Sequence, residues 1–190
     1  MASYVVAREL LSRALPSESF HPQASSQWQG EFPLPDPVAE YFTKFGPVDV
    51  WIPGYGNPFF LPSLAQLWCF QAGYRYHPDT RERFSDWDDE WLVVANEGGD
   101  PFIFSRASHA VLHAYHGAGR WDPIMLFGNL IQMATIFAII GDIVATAGAL
   151  LTDDASIILP CFLDEAQSRV AECLRSTERA EVVLQRLSWV

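Results

Sequence analysis

WLVVANEGGDPFIFSR, residues 91–106, sets two apolar runs on either side of a short acidic patch that carries two glycines. If Asn96 to Asp100 is a turn, the runs are paired strands; if it is a cation loop, the same stretch is a binding site. A calcium loop of the EF-hand kind needs oxygen ligands at alternating positions and a closing Glu. This patch offers Glu97 and Asp100 and no carboxylate at the later positions. A tight hairpin needs only that Gly98 and Gly99 take positive φ, which glycine does without steric cost. The spacing therefore predicts a hairpin.

Working outward, AVLHAYH (110–116) reads as the next strand, VDVWI (48–52) as an earlier one, and GYGNPFFLP (54–62) as a turn into another extended piece. Helical spacing appears over residues 3–15 and again from Asp36, where Val38, Tyr41, Phe42 and Phe45 form one face before Gly46-Pro47. Residues 61–70 predict a short helix. Asp122-Pro123 opens a long apolar helix ending at Gly141 or Gly148, and 164–187 a single C-terminal amphipathic helix. The Ser- and Pro-rich stretch before Asp36 reads as an irregular connection pinned by Trp28 and Phe32. Helices, then a block of strands, then helices predict an α+β fold in one domain over 1–190.

The 190 residues are 49% apolar, enough to bury a core without staples. Twelve basic residues against 23 acidic ones leave a charge of −11, which repels a phosphate backbone and argues against direct nucleic-acid binding. The same field favours a basic protein partner. Cys69, Cys161 and Cys173 are odd in number and form no CxxC pair, so neither a disulfide framework nor a zinc site is predicted. Arg8, Glu9 and Arg13 interrupt the first apolar run, which does not read as a signal peptide. Pro123 to Gly141 carries no charge and approaches the length of a bilayer span. Asn129, Gln132 and Thr135 share one side of it, however, and Asp142 stands where a basic anchor belongs. A helix packed on a sheet is the better account, with no membrane partner.

Two clusters could carry function. SDWDDEW (85–91) gathers four carboxylates around Trp87; it is either a solvated loop or an acidic surface with an aromatic anchor that a basic protein could grip. His109, His113 and His116 would share a face on a helix and could hold a metal for a small hydrolase. On a strand, His113 and His116 point to opposite sides. No GxSxG, SxxK, HExxH or P-loop occurs, so no enzyme and no cofactor is called for.

LPDPVAEYFTKFGP (34–47), DWDDEW (86–91), the hairpin sequence and AVLHAYHG (110–117) together resemble the SMI1/KNR4 family, also called the SUKH superfamily, over roughly residues 30–145. Ser105 and His109 stand where many relatives carry an Asp and a Gly. The resemblance implies a mixed, largely antiparallel sheet of about six strands packed against helices. It also implies a non-catalytic binding module of the cytoplasm: an immunity protein that neutralises a bacterial toxin, often a nuclease, or a general interaction scaffold. On this reading Asp86, Trp87, Asp88, Asp89, Glu90, Glu97 and Asp100 face the partner, a basic toxin domain.

Overall fold

A computed structural model describes residues 2–190. In chain order the elements are α1 (Tyr4–Leu11), α2 (Asp36–Lys44), β1 (Val50–Ile52), β2 (Phe59–Leu61), α3 (Leu64–Leu67), β3 (Trp91–Glu97), β4 (Asp100–Ser105), β5 (Val111–His113), β6 (Ile124–Phe127), α4 (Leu130–Ala147), α5 (Pro160–Leu174) and α6 (Thr177–Arg186). The six strands form one sheet in sequence order, every neighbouring pair antiparallel. The fold is α+β, and the sheet is wholly antiparallel rather than mixed.

The hairpin forms as its sequence predicts. Glu97 pairs with Asp100, and the two residues between them, Gly98 and Gly99, have φ of 58° and 105°. Positive φ at both central positions matches the twist of the flanking strands, and side chains avoid it. His109, in the next turn, also has positive φ (60°) without being glycine, and its ring stacks on Phe104.

The sheet buries one face under α4. Phe137, at the middle of that helix, stacks on Phe59 of β2 with ring centroids 4.2 Å apart and meets Phe102 of β4 edge-on at 4.8 Å. Helices α1, α2 and α5 pack on α4, and α6 packs on α5. The continuous core so formed runs from Tyr4 to Trp189 and draws on every one of these layers. By length and composition α4 could cross a membrane, yet most of it is buried inside this protein. Asp142 on α4, almost wholly buried, accepts from Arg169 of α5 at 2.8 Å and from Arg13 at 3.3 Å, which ties three segments together.

Two expectations are corrected. The apolar run from Pro123 is not all helix: Ile124–Phe127 is the edge strand β6, and the helix begins after Asn129. Asn129 accepts from the Gln132 N–H and Gln132 accepts from the Gly128 N–H, a reciprocal cap that stops the strand from continuing the helix upstream. The C-terminal helix is two helices. Arg175 takes a left-handed conformation (φ 55°) and Ser176 caps the next start by accepting from the Arg179 N–H.

Candidate partner-binding face

The second face of the sheet has no α-helix across it. Two connections cover its middle: residues 68–90, between α3 and β3, and residues 114–122, between β5 and β6. They bring Tyr74, Trp87 and Ala114 down onto Val93 and Ile103, with Phe70, Phe84, Trp91, Leu112 and Trp121 around them. This is a small aromatic core separate from the main one.

Gln71 holds the first connection in place. A bulge in β3 between Val93 and Ala95 coincides with the end of the β2 ladder, which reaches only to Asn96. The Val93 N–H and C=O are therefore without a strand partner on that side. The fully buried Gln71 amide replaces it, accepting from the Val93 N–H at 2.9 Å and donating to the Val93 carbonyl at 2.9 Å and the Leu67 carbonyl at 2.8 Å. A side chain so placed satisfies groups whose desolvation is costly if left unpaired.

Arg75, also buried, clamps the far end. Its guanidinium donates to the Asp89 and Trp91 carbonyls, both at 3.2 Å, and lies over the rings of Trp68 and Phe32. Arg106 lies over the same Phe32 ring at 4.0 Å and donates to the Asp89 carbonyl and to Glu90. Phe32 thus fixes the irregular N-terminal connection, with Trp28 packed on it and on Trp68.

The acidic cluster is mostly engaged within the chain. Asp89 pairs with Arg75 and Arg83, and Glu90 with Arg106 at 3.1 Å. Asp88 accepts from the Glu90 N–H, an Asx-type turn that leaves it exposed. Asp86 is exposed and forms no ion pair among the described residues. Trp87 is turned inward rather than out to the surface: it is 3% exposed, edge-on to Trp91 and Trp121. The charges flanking it suggested a surface, but alternation within the loop turns the indole inward while its acidic neighbours point out. Glu97 and Asp100 lie by strand alternation on the face that carries Ala95 and Phe102, the helix-covered one. Burial, and secondarily the Asp100 charge, raise the Glu97 carboxyl to about 8. Asp100 accepts from the His116 N–H at 2.8 Å, and its oxygen lies 2.5 Å from His116 Nδ1.

The three histidines do not converge. His113 is buried beside Phe102, His109 stacks on Phe104, and His116 bonds Asp100. Among the described residues no group of three His, Cys, Asp or Glu side chains could hold a metal. His113 has no hydrogen-bond partner for either ring nitrogen among the described residues, and burial lowers it to about 4.

Sequence reading missed the groove left between the two connections. It has a volume of about 580 Å³ and is lined by Phe70, Tyr74, Asn96, Gly99, His116 and Trp121 among others. Across Trp121 it adjoins a smaller cleft that contains Asp86, and across Phe70 a third that contains Phe60. Beyond Phe60, on the same face, Trp51 of the edge strand is 57% exposed and packs on it at 4.6 Å. Trp51 and Phe60 were visible as aromatic residues of two short extended runs, but only pairing of β1 with β2 places them side by side. No family model, curated protein or solved structure matches the chain.

Proposed function

We propose that this chain is a non-catalytic protein-binding module that neutralises a basic bacterial toxin domain, of the nuclease type, in the cytoplasm. The partner class and compartment come from the SMI1/KNR4 resemblance. The observation that supports binding is the outer sheet face, where an aromatic groove adjoins a cleft holding Asp86 on one side and, past Phe70, the half-buried Phe60 with the exposed Trp51 on the other, on a chain of charge −11. Contiguous exposed aromatic surface with a charged rim marks protein interfaces. The acidic field speeds encounter with a basic partner, and the groove holds it.

The test is a tagged pull-down from the native organism, with the bound fraction eluted across a salt series and identified by mass spectrometry. The reading expects a basic domain released by salt, whose toxicity in a co-expression assay is abolished by this chain. Reversing Asp86 and Asp88 to Lys should slow association about tenfold or more at low salt with little change in dissociation. Asp89 is unsuited to that test, because losing it would unpair the buried Arg75. Recovery of signalling or envelope proteins, with no protection against any toxin, would overturn the immunity reading in favour of a scaffold.

A further inference from the structure

The groove has a chemistry more specific than apolar. Its walls are the rings of Phe70, Tyr74 and Trp121, with Tyr74 and Trp121 inclined at 52° and 5.8 Å apart. The Asn96 amide nitrogen donates to the Tyr74 hydroxyl at 2.9 Å, which leaves the Asn96 carbonyl oxygen as an acceptor. No Lys or Arg side chain lines it. One carboxylate stands beside it, Asp86, in the cleft across Trp121, while Asp100 lies on the helix-covered side and is engaged by the His116 N–H and ring. In that cleft the one cation is Arg120, which lies 3.8 Å from Asp122.

The chain itself shows what fits such a setting. Eleven of its twelve basic residues are arginine. Four of them rest on aromatic rings: Arg75 on Trp68 and Phe32, Arg81 on Tyr76, Arg106 on Phe32 and Arg186 on Tyr115. Arg75 and Arg106 also donate to carbonyls or carboxylates. The groove offers ring faces and an acceptor oxygen, with a carboxylate in the adjoining cleft and no Lys or Arg of its own. A planar, weakly hydrated guanidinium gains from stacking and in-plane hydrogen bonds together, whereas a lysine ammonium gains less from either.

We propose that this groove seats an arginine side chain presented by the protein partner. The inference rests on the protein-binding reading above and deepens it, by naming the side chain that the outer face selects. A nucleotide would find the same stacking rings, but its phosphate would meet Asp86 in the adjoining cleft and no Lys or Arg in the groove.

The experiment titrates the full-length protein with two peptides of equal charge, four Gly-Arg repeats and four Gly-Lys repeats, and with AMP, by intrinsic tryptophan fluorescence and calorimetry. The arginine peptide should bind about fivefold more tightly than the lysine peptide. Trp121→Leu should abolish that preference, and Asp86→Asn, a surface change that leaves folding intact, should weaken the arginine peptide severalfold. Equal affinity for the two peptides, tighter binding of AMP, or indifference to both substitutions would overturn it. A partner captured in the pull-down whose affinity ignores Trp121 and Asp86 would overturn this inference while leaving the binding-module reading intact.

Discussion

The two faces of the sheet are built by different means. The inner face is covered by one long helix whose rings interlock with those of the strands, so its stability comes from apolar burial over a continuous core. The outer face is covered by connecting chain over a small aromatic core, and two polar side chains pin that chain: the Gln71 amide across the β3 bulge and the Arg75 guanidinium beneath Asp89. Apolar packing is tolerant and non-directional, whereas these polar ties fix one geometry. The difference teaches where to look for function. A face closed by a helix has nothing left to offer, while a face closed by pinned loops keeps a shaped groove between them.

The largest effect should fall on the inner face. Phe137→Ala removes the ring at the centre of the Phe59, Phe102 and Phe127 contacts and should cost about 3–5 kcal/mol in denaturant unfolding. Next comes Gln71→Leu, nearly conserving volume while stripping the Val93 N–H and C=O of their partner. It should cost about 2–4 kcal/mol, and loop protection in hydrogen exchange should fall with it. Trp121→Ala should cost only about 1–2 kcal/mol, since that ring is half-exposed and packs on Tyr74 and Trp87 alone among the aromatic residues. A Trp121 variant as damaging as Phe137→Ala would erase the distinction between the faces.

pH sharpens the comparison, because both perturbed groups of the strand ends lie on the inner side. Glu97 is held protonated up to about 8 in the folded chain, mainly by burial. Its stabilising contribution is full below the ordinary value of 4.5 and is lost as pH rises through about 8. His113, lowered to about 4 by burial, with Asp100 opposing and Arg186 adding, contributes stability above the ordinary 6.5 that is lost as pH falls through about 4. Of these two groups only Glu97 acts between pH 6.5 and 8, where it should make stability decline with a slope of at most about 1.4 kcal/mol per unit that Glu97→Gln should remove. The smallest effect concerns the β4–β5 turn. His109→Gly relieves a left-handed residue but gives up the stack on Phe104, so the net gain should stay within about 1 kcal/mol by thermal unfolding.

What the sequence made legible were the features with local causes. The hairpin follows from two glycines between alternating runs, and α2 from Pro37 and one apolar face ending at Gly46. Strand β6 escaped because IMLF is a continuous apolar run, and such a run has no period to distinguish strand from helix. The capping pair Asn129 and Gln132 was visible, but as a polar side of a longer helix rather than as its start. The break between α5 and α6 rests on Arg175 in a conformation that glycine usually marks. On the candidate site, acidic residues around Trp87 suggested an exposed anchor, and only tertiary contacts place the indole inside and Asp89 on Arg75. Gln71 carried no signal, since its importance arises from a bulge 22 residues away. The groove unites residues from four separate segments, which no local pattern can reveal.

The central claim is that the outer face receives the partner. Hydrogen exchange on the protein alone and in complex with the captured partner tests it most directly. The account predicts new protection in residues 69–74, 85–90 and 115–121 and at β1, with α5 and α6 unchanged. Protection confined to the α5–α6 side, with the groove loops exchanging as in the free protein, would contradict it.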